Sequence, residues 1–415
     1  MNTRDERPSI LVLSSTYPRW QGDAEPPFVH ELSRRLANQF DVHVLAPHAP
    51  GSRTRETLDG VFVHRFRYAP GRFESLAYQG GILANLKKSP LMVGLVPFFF
   101  IAQLLATVQL LVKLHIDIVH AHWIFPQGLT ALLARTLSGR RVRVLCTSHG
   151  GDLYGLRGSI FLFIKKWVAA RCDHLTVVSR SMREDLLQLG AVKNKISVIP
   201  MGVDLQHRFV PPKKPAPLSS LLFVGRLVEK KGLRYLLAAM PEITERFPDS
   251  HLTVVGDGPD RTNLEKLYHN LGIQGRVKFL GSLPNEELPF LYQQAGIVVF
   301  PSVVSGDGDR EGFGLVLVEA MGCGCAAVVT DLPAMRDIVD QGKSGFIVAQ
   351  RDAKAIAGAV LRLQRDQDLA DALAGEGRRK TLDRFDWELV SSRYSTLLKS
   401  MAADRQSSLS FRQLS

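Results

Sequence analysis

Residues Asp309–Thr330 read DREGFGLVLVEAMGCGCAAVVT, a pattern that predicts a loop, then an apolar helix, then a short strand. Glu319 lies inside the apolar run, and a charge there is costly unless it has a partner. The strand is predicted over Cys325–Thr330. Glycines bound the helix at both ends: Gly312 and Gly314 precede it, and Gly322 and Gly324 follow it, where C-cap glycines are expected.

The start of this helix is a predicted anion site. Backbone N–H groups at a helix start have no partner within the helix, and the helix dipole is positive there. Glu311 precedes this start, and Glu319 lies about two turns into the helix. These groups could hold a polyhydroxylated phosphate ester, with N–H groups on phosphate and carboxylates accepting from hydroxyls. The residues leave open a simpler interpretation, an ordinary loop and helix with one capped or snorkelling glutamate.

This segment resembles the signature of the family-four retaining glycosyltransferases, enzymes of the GT-B fold. The resemblance rests on Glu311 and Glu319, with seven residues between them, in EGFGLVLVEAMGCG. It implies an α/β protein with two Rossmann-like β/α/β domains facing a central cleft. It further implies that Glu311 is catalytic and holds hydroxyls of the donor sugar, and that Glu319 holds the ribose. The backbone of four further residues would bind the donor: Gly312, Phe313, Gly314 and Leu315.

The length of 415 residues predicts two domains of about 200 residues each. We expect an N-terminal acceptor-binding domain at 1–205, a proline-rich linker at 206–217 and a nucleotide-sugar-binding domain at 218–380. A helix that crosses back to the first domain is expected at 381–400 and a disordered tail at 401–415. The four cysteines have no zinc-site spacing, and no secretory signal precedes Ile10, so we expect a cytoplasmic protein.

The positive charge is concentrated in the first half of the chain. Residues 1–200 contain 25 Lys and Arg against 14 Asp and Glu, whereas residues 201–415 contain 27 against 26. A basic surface suits an acidic partner, and anionic lipid headgroups or a lipid diphosphate fit better than nucleic acid, since no nucleic-acid-binding motif accompanies the charge. A merely solvated basic face is the alternative.

Alternating strands and helices in the first half predict a doubly wound α/β domain. Ile10–Ser14 reads as a buried parallel strand, and Phe28–Phe40 has helical spacing. Further strands are predicted at Val42–Ala46, Val61–His64, Ile118–Ala121, Val142–Thr147, Leu175–Ser179 and Ile196–Ile199. Ligands of such folds bind at the C-terminal ends of the strands. The loop Trp20–Pro27 lies at such an end; relatives have paired glycines near the donor phosphates there, whereas this loop offers only Gly22.

Leu91–Val112 contains no charged residue and is long enough to cross a bilayer. A true span would place two strands of one sheet, those beginning at Ile10 and Ile118, on opposite sides of the membrane. We therefore predict a buried or interfacial helix, one that rests on the membrane with Lys87, Lys88 and Lys113 at its flanks. A single span is the less favoured alternative.

Two histidine-containing segments follow predicted strands. His120 and His122 alternate on one strand, but no third ligand lies at a suitable spacing for zinc, so a polar strand end is the better interpretation. The second segment is SHGGD at 148–152, in which His149 and two glycines follow a strand. By resemblance His149 is catalytic and lies beside the reacting sugar and the donor phosphate. A histidine that merely caps a strand is the alternative.

The second half contains a second series of predicted strands: Leu221–Val224, Leu252–Val255, Val277–Leu280, Ile297–Phe300, Ala326–Thr330 and Phe346–Val348. Arg226 and Lys231 follow the first of these, two cations at a strand end where a diphosphate would bind. By resemblance they neutralise the departing nucleoside diphosphate. Gly281 matches the position at which relatives read the nucleobase through the backbone.

The resemblance predicts a retaining glycosyltransferase that uses a UDP- or GDP-linked sugar and needs no metal or other cofactor. We expect a glycan or lipid-linked acceptor, as in bacterial polysaccharide biosynthesis, and a cytoplasmic enzyme peripheral to the inner face of an anionic membrane. No nucleic-acid partner is expected. Two other classes stay open: a GT-B sugar-nucleotide epimerase or hydrolase, and a non-enzymatic basic binding protein.

Overall fold

The computed structural model describes residues 7–23, 27–78, 81–82, 85–86 and 89–413, with side chains as far as residue 403. It divides the chain into two compact units. The first comprises Met1–Val178, Met182–Ile199 and Ser391–Ser415, and the second comprises Ser179–Ser181 and Pro200–Val390. Lys87 and Lys88, expected to flank the apolar helix, lie outside the described residues.

The first unit contains an eight-stranded sheet in the order β3-β4-β2-β1-β5-β6-β7-β8. All neighbouring strands are parallel except β3 and β4, which form an antiparallel pair at the edge. The order reverses between β1 and β5, and doubly wound folds bind ligands at the carboxyl ends of the strands at such a point. The strands are β1 (Ser9–Leu13), β2 (Asp41–Pro47), β3 (Arg55–Leu58), β4 (Val61–Phe66), β5 (Ile118–His122), β6 (Arg143–Ser148), β7 (His174–Val177) and β8 (Ile196–Val198).

The seven strands predicted in this half are confirmed, within two residues at each end. They were readable because parallel strands are covered on both faces and are therefore continuously apolar; β1, for example, is buried at every position. Strand β3 was missed, since it is a half-exposed edge strand of mixed polarity. The first helix ends at Leu36 rather than at Phe40, because Phe40 lies in the following turn and is buried there.

Helices alternate with these strands along the chain. They are α1 (Phe28–Leu36), α2 (Val96–Lys113), α3 (Leu129–Ser138), α4 (Gly151–Tyr154), α5 (Ser159–Arg171) and α6 (Arg180–Gln188). Their arrangement gives the first unit the Rossmann-like architecture expected from the sequence.

The second unit contains a six-stranded, entirely parallel sheet in the order β11-β10-β9-β12-β13-β14. Its strands are β9 (Ser220–Val224), β10 (His251–Val255), β11 (Val277–Gly281), β12 (Ile297–Phe300), β13 (Ala326–Thr330) and β14 (Phe346–Val348), as predicted. Its helices are α7 (Leu233–Arg246), α8 (Arg261–Asn270), α9 (Leu288–Gln293), α10 (Leu315–Gly322), α11 (Pro333–Ile338), α12 (Ala353–Arg365) and α13 (Gln367–Phe385). The direction of strand order reverses between β9 and β12, which places the switch point of this sheet beside Arg226.

Helix α2 lies on the surface of the first unit, but it buries polar side chains and exposes apolar ones, the reverse of an ordinary surface helix. Its buried stripe includes Gln103 and Thr107, both fully shielded, together with Phe99, whose ring packs 5.1 Å from that of Phe66. Its outward side chains are apolar: Phe98 is 63% exposed and Leu105 63%. Length and composition alone would allow Pro90–Lys113 to cross a membrane, but one face of this segment packs on the first unit. One face of the helix is therefore packed against the rest of the first unit, and the other, apolar face is exposed.

The last helix, α14, runs over Trp387–Gln413. Its residues from Ser391 onward belong to the first unit, where the Tyr394 ring lies 5.6 Å from that of His120. The backbone of 401–413 is helical, whereas the sequence suggested a disordered tail there. Residues 206–217, the expected linker, belong to the second unit, in which Phe209 is buried.

Candidate active site

A lysine and a glutamate from separate predicted motifs meet in the second unit. The Nζ atom of Lys231 lies 2.5 Å from Oε2 of Glu311, and each side chain is only 17% exposed. Burial alone would raise the pKa of Glu311, but the charge of Lys231 and its hydrogen bond outweigh burial and hold this pKa below its usual value. The Glu311 side chain is therefore an ionised carboxylate at neutral pH.

A close backbone approach brings these two side chains together. Lys231 ends a 3₁₀ turn, Glu229–Lys231, and the next residue is Gly232, with φ of +66°. A Cβ atom on Gly232 would lie 1.8 Å from the carbonyl oxygen of Pro301, so only glycine lets this turn pack against the chain that follows β12. Glu311 belongs to the same segment, which connects β12 with α10.

Neighbouring residues of the turn also contact this chain segment. Lys230 pairs with Asp309 at 2.9 Å, and the carboxylate of Glu229 accepts a hydrogen bond from the N–H of Gly306 at 3.1 Å. These contacts hold the loop after β12 against the strand ends of the sheet. They were not predicted, because the sequence gives no sign of which charged loop residues face each other.

Two further predicted donor-binding residues lie at strand ends of the same sheet. Arg226 follows β9 and its side chain is exposed. Gly281 ends β11 with φ of +73°, and its carbonyl accepts a hydrogen bond of 2.7 Å from the N–H of Gly256. The backbone at Gly281 is thus held at the same edge of the sheet as Arg226, beside β10.

The helix start predicted to bind an anion is formed by Gly312–Leu315. The N–H of Phe313 is directed to the Glu311 carboxylate, while its ring is buried 5.5 Å from that of Phe385. Gly314 has φ of +105°, a backbone conformation that favours glycine. Leu315 begins α10 and is half-buried. These residues therefore present backbone rather than side chains next to Glu311.

Glu319 lies inside α10 and is only 5% exposed. Its Oε2 accepts a hydrogen bond of 3.0 Å from the hydroxyl of Tyr292, a fully buried residue of α9. Burial raises the pKa of Glu319 to about 7, although the hydrogen bond from Tyr292 and the charge of Arg208 act in the opposite direction. Tyr292 is the partner that the sequence required but did not identify. The ribose contact of Glu319 stays a prediction.

In the first unit, the predicted catalytic histidine belongs to an aromatic cluster. Nε2 of His149 lies 2.9 Å from Nδ1 of His122, and the two rings are stacked with centroids 5.2 Å apart. The rings of Phe28 and Trp123 lie 4.9 and 5.4 Å from that of His149. His122 therefore positions His149, a role that the alternation of His120 and His122 on β5 could have suggested.

Burial keeps this histidine pair neutral. It lowers the pKa of His149 to about 3 and the pKa of His122 well below its usual value. The Nδ1 atom of His149 is shielded from solvent, and no described residue hydrogen-bonds to it. A neutral imidazole with one unused ring nitrogen can orient a polar ligand but does not supply a positive charge.

The remaining predicted donor contact, Gly22, lies in a turn of the first unit with φ of +78°. Asp23 closes this turn by pairing with Arg19 at 2.6 Å. Part of the loop, residues 24–26, lies outside the described residues. Gly22 therefore stays a prediction. Among the residues that the structure describes, no group of three His, Cys, Asp or Glu side chains is arranged to hold a metal ion.

Two family models match most of the chain between them. The model described as Glycosyltransferase Family 4 matches residues 27–207, and the model described as Glycosyl transferases group 1 matches residues 208–380. The second match contains Arg226, Lys231, Gly281 and the segment from Glu311 to Glu319; the first contains His149.

Curated relatives agree with these matches. The chain is 31% identical to a GDP-mannose-dependent alpha-(1-6)-phosphatidylinositol monomannoside mannosyltransferase of Mycolicibacterium smegmatis, over 68% of this chain and 76% of the relative. It is 28% identical to the putative colanic acid biosynthesis glycosyltransferase WcaL of Salmonella typhimurium, over 69% of this chain and 71% of the relative.

The fold is shared with solved glycosyltransferase-like structures. Alr3699/HepE of Anabaena, solved in complex with UDP and glucose, superposes with a TM-score of 0.72 over 94% of this chain and 99% of that chain, at 19% identity. Sequence and fold thus agree with the architecture described above, and the chain belongs to the family-four glycosyltransferases and has the GT-B fold.

Proposed function

We propose that this glycosyltransferase retains the anomeric configuration, needs no metal ion, and transfers a sugar from UDP or GDP to a lipid-linked or membrane-associated glycan of a bacterial polysaccharide. The observation that carries the proposal is the Lys231–Glu311 pair of 2.5 Å beside the helix start at Gly312–Leu315. It combines a cation for the diphosphate with a carboxylate for sugar hydroxyls in one place.

In this proposal, groups of the protein stabilise the negative charge on the departing nucleoside diphosphate. Arg226 and Lys231 supply two cations, and the backbone N–H groups at the start of α10 supply further hydrogen bonds. These groups do what a divalent cation does at a nucleoside diphosphate: they stabilise the negative charge that develops as the bond to the anomeric carbon breaks.

The chemical step is a same-face displacement. The bond between the anomeric carbon and the diphosphate oxygen breaks, and a bond from the acceptor oxygen to the anomeric carbon forms on the same face. The acceptor proton passes to the departing phosphate oxygen, so no base from the protein is needed. His149, neutral because of burial, acts in this proposal as an uncharged polar group beside the donor sugar.

Relatives support each part of the substrate assignment. One similar protein is named for GDP-mannose and phosphatidylinositol monomannoside, and another for colanic acid biosynthesis. A structural neighbour was solved with UDP and glucose. UDP and GDP are therefore both tested as the nucleotide of the donor. A lipid or a polysaccharide precursor is the expected acceptor class.

Thermal stabilisation by UDP, GDP, ADP, dTDP and NAD tests the donor site. We expect one diphosphate to raise the unfolding temperature, since a ligand at 100 times its Kd stabilises by about 2.7 kcal/mol. Arg226→Ala and Glu319→Ala should abolish this shift. Arg246→Ala is the matched control, because Arg246 is an exposed arginine in the last turn of α7, at the opposite end of that helix from Lys231, and should leave the shift unchanged.

Four outcomes would contradict the assignment. If no diphosphate stabilises the protein, or if the shift is indifferent to Arg226→Ala and Glu319→Ala, the donor site lies elsewhere. Release of free or epimerised sugar without an acceptor would favour the epimerase or hydrolase alternative. Salt-dependent binding to nucleic acid, without any response to nucleotides, would favour a basic binding protein.

The outer face of α2 supports attachment to a membrane surface. Phe98, Ile101 and Leu105 are each more than half exposed, and Lys113 at the end of the helix is exposed as well. Monomeric proteins rarely leave large contiguous apolar patches in water, and a basic flank favours anionic lipid. This surface supports the proposal of peripheral association with the inner face of the cell membrane.

Flotation with vesicles of phosphatidylglycerol and phosphatidylcholine tests the membrane proposal. Replacing Phe98, Ile101 and Leu105 together by serine should lower the vesicle-bound fraction at least about tenfold, because each side chain loses apolar area that the lipid would bury. Val192→Ser, at an exposed apolar position outside α2, should have no such effect. Wild-type protein that stays in the aqueous fraction with the anionic vesicles would refute membrane attachment.

A further inference from the structure

The first unit contains a cavity of about 350 Å³ between α2, α5 and the segment after β5. This volume is in the range of small-molecule sites, roughly 300–1,000 Å³. Its wall is predominantly apolar, and aromatic rings supply much of it: Phe99 and Phe100 from α2, Phe125 after β5, and Phe161 from α5. A cavity with such a wall suits a hydrocarbon ligand better than a sugar.

One end of the cavity is polar and adjoins His149. Ser15, Thr16 and Asp152 line this end. The Asp152 carboxylate is buried and accepts hydrogen bonds from the N–H of Ile124 at 2.7 Å and from the hydroxyl of Ser148 at 2.9 Å. Phe28 and Trp123 also line the cavity, and their rings contact that of His149.

An exposed apolar surface on α5 lies next along the chain to the cavity-lining residue Phe161. The rings of Phe100 and Phe125 are 6.5 Å apart, and those of Phe125 and Phe161 are 5.5 Å apart, so these residues connect α2 with α5. Beside Phe161 on α5, Ile160 and Phe163 are each 67% exposed. Apolar side chains are therefore present both on the exterior of α5 and along the cavity wall, which includes Phe28 and Trp123 beside His149.

Charge next to this surface indicates the source of the ligand. Arg157 and Lys166 are exposed on either side of the Ile160–Phe163 segment. Apolar side chains flanked by cations are typical of a surface that meets anionic lipid headgroups. A hydrocarbon chain that enters the cavity from this side would come from the membrane.

We propose that the cavity binds a hydrocarbon chain of the membrane-borne acceptor lipid, with the polar head of that lipid at the Ser15 and Asp152 end, beside His149. The inference rests on the proposed function and deepens it, because it names the apolar part of the acceptor and its site. A hydrocarbon chain bound in the cavity would hold the polar head of the acceptor lipid next to His149. A membrane surface alone would leave that head group free to diffuse.

Binding of dodecyl phosphate below its micelle-forming concentration tests the proposal, measured by calorimetry on the full chain. We expect saturable binding of one molecule, and none of inorganic phosphate at the same concentration. Phe161→Asp should weaken binding at least about tenfold, because it places a charge against the chain. Val96→Phe, which fills the cavity from α2 without adding a charge, should weaken it similarly.

Phe163→Asp is the matched control, since Phe163 is exposed on the same helix and does not line the cavity. It should leave dodecyl phosphate binding within about twofold of the wild type while weakening vesicle flotation. Absence of binding, or equal loss in Phe163→Asp and Phe161→Asp, would overturn the cavity as the site. Stabilisation by a nucleoside diphosphate, measured on the same samples, shows separately whether the proposed function holds and whether each variant is folded.

Discussion

Lys231→Ala should reduce the rate of sugar transfer about 10²–10³-fold, the usual cost of removing one preorganised group that stabilises developing negative charge. The same change should lower the free energy of unfolding by about 3–5 kcal/mol, because it leaves the largely buried carboxylate of Glu311 without its cation. Steady-state transfer kinetics and urea unfolding of the same preparations measure the two effects.

The double variant Lys231→Ala with Glu311→Gln separates charge pairing from catalysis. Neutralising Glu311 removes the unpaired charge, so we expect much of the lost stability to return while transfer stays impaired. Lys230→Ala is the matched control, because Lys230 is the adjacent lysine and its pair with Asp309 is more exposed. It should change stability by about 1 kcal/mol or less. Recovery of transfer in the double variant would mean that Lys231 serves only to neutralise Glu311.

Glu319 should make the second unit less stable as pH rises through the neutral range. Burial raises its pKa in the folded protein from 4.5 to about 7. Between these values the folded state holds a proton that the unfolded state has released, so raising the pH favours unfolding. The resulting loss of stability between pH 4.5 and pH 8 is about 3 kcal/mol.

Urea unfolding at pH 5 and pH 8 tests this expectation. Glu319→Gln cannot ionise, so its stability relative to the wild type should rise by about 2.5 kcal/mol between the two pH values. Glu286→Gln, at an exposed position of the same unit, should show no such change. Diphosphate affinity of the wild type should meanwhile increase through pH 7, since an ionised carboxylate accepts hydrogen bonds from ribose hydroxyls more strongly. Equal pH dependence of wild type and Glu319→Gln would show that Glu319 is already ionised in the folded protein.

The ionisation states of Glu311 and Glu319 are a property that the local sequence does not predict. Glu311 and Glu319 belong to one motif, yet burial with Lys231 keeps one carboxylate ionised, while burial with Tyr292 favours the protonated form of the other. Lys231 lies 80 residues before Glu311, and Tyr292 lies 27 residues before Glu319. Neither partner can be identified from spacing within the motif, because strand order and loop packing bring them together.

Helix α2 is a second such case. Its sequence has no charge over Leu91–Val112 and therefore gives no amphipathic pattern from which to choose a buried face. The structure buries Gln103 and Thr107, where the Thr107 hydroxyl donates to the Gln103 carbonyl at 2.7 Å, and leaves Phe98 and Leu105 outside. Hydropathy alone would favour the opposite orientation.

The sequence by itself determined the two parallel sheets and the positions of the motifs along them. Strands buried on both faces are continuously apolar, and the predicted ligand-binding residues follow them at their carboxyl ends, so both features can be recognised in the local sequence. Only the tertiary structure decided which side chains are partners: Lys231 with Glu311, Tyr292 with Glu319, and His122 with His149. The physical reason is that charge state and side-chain orientation depend on burial and on contacts between distant segments, which no single stretch of the chain contains.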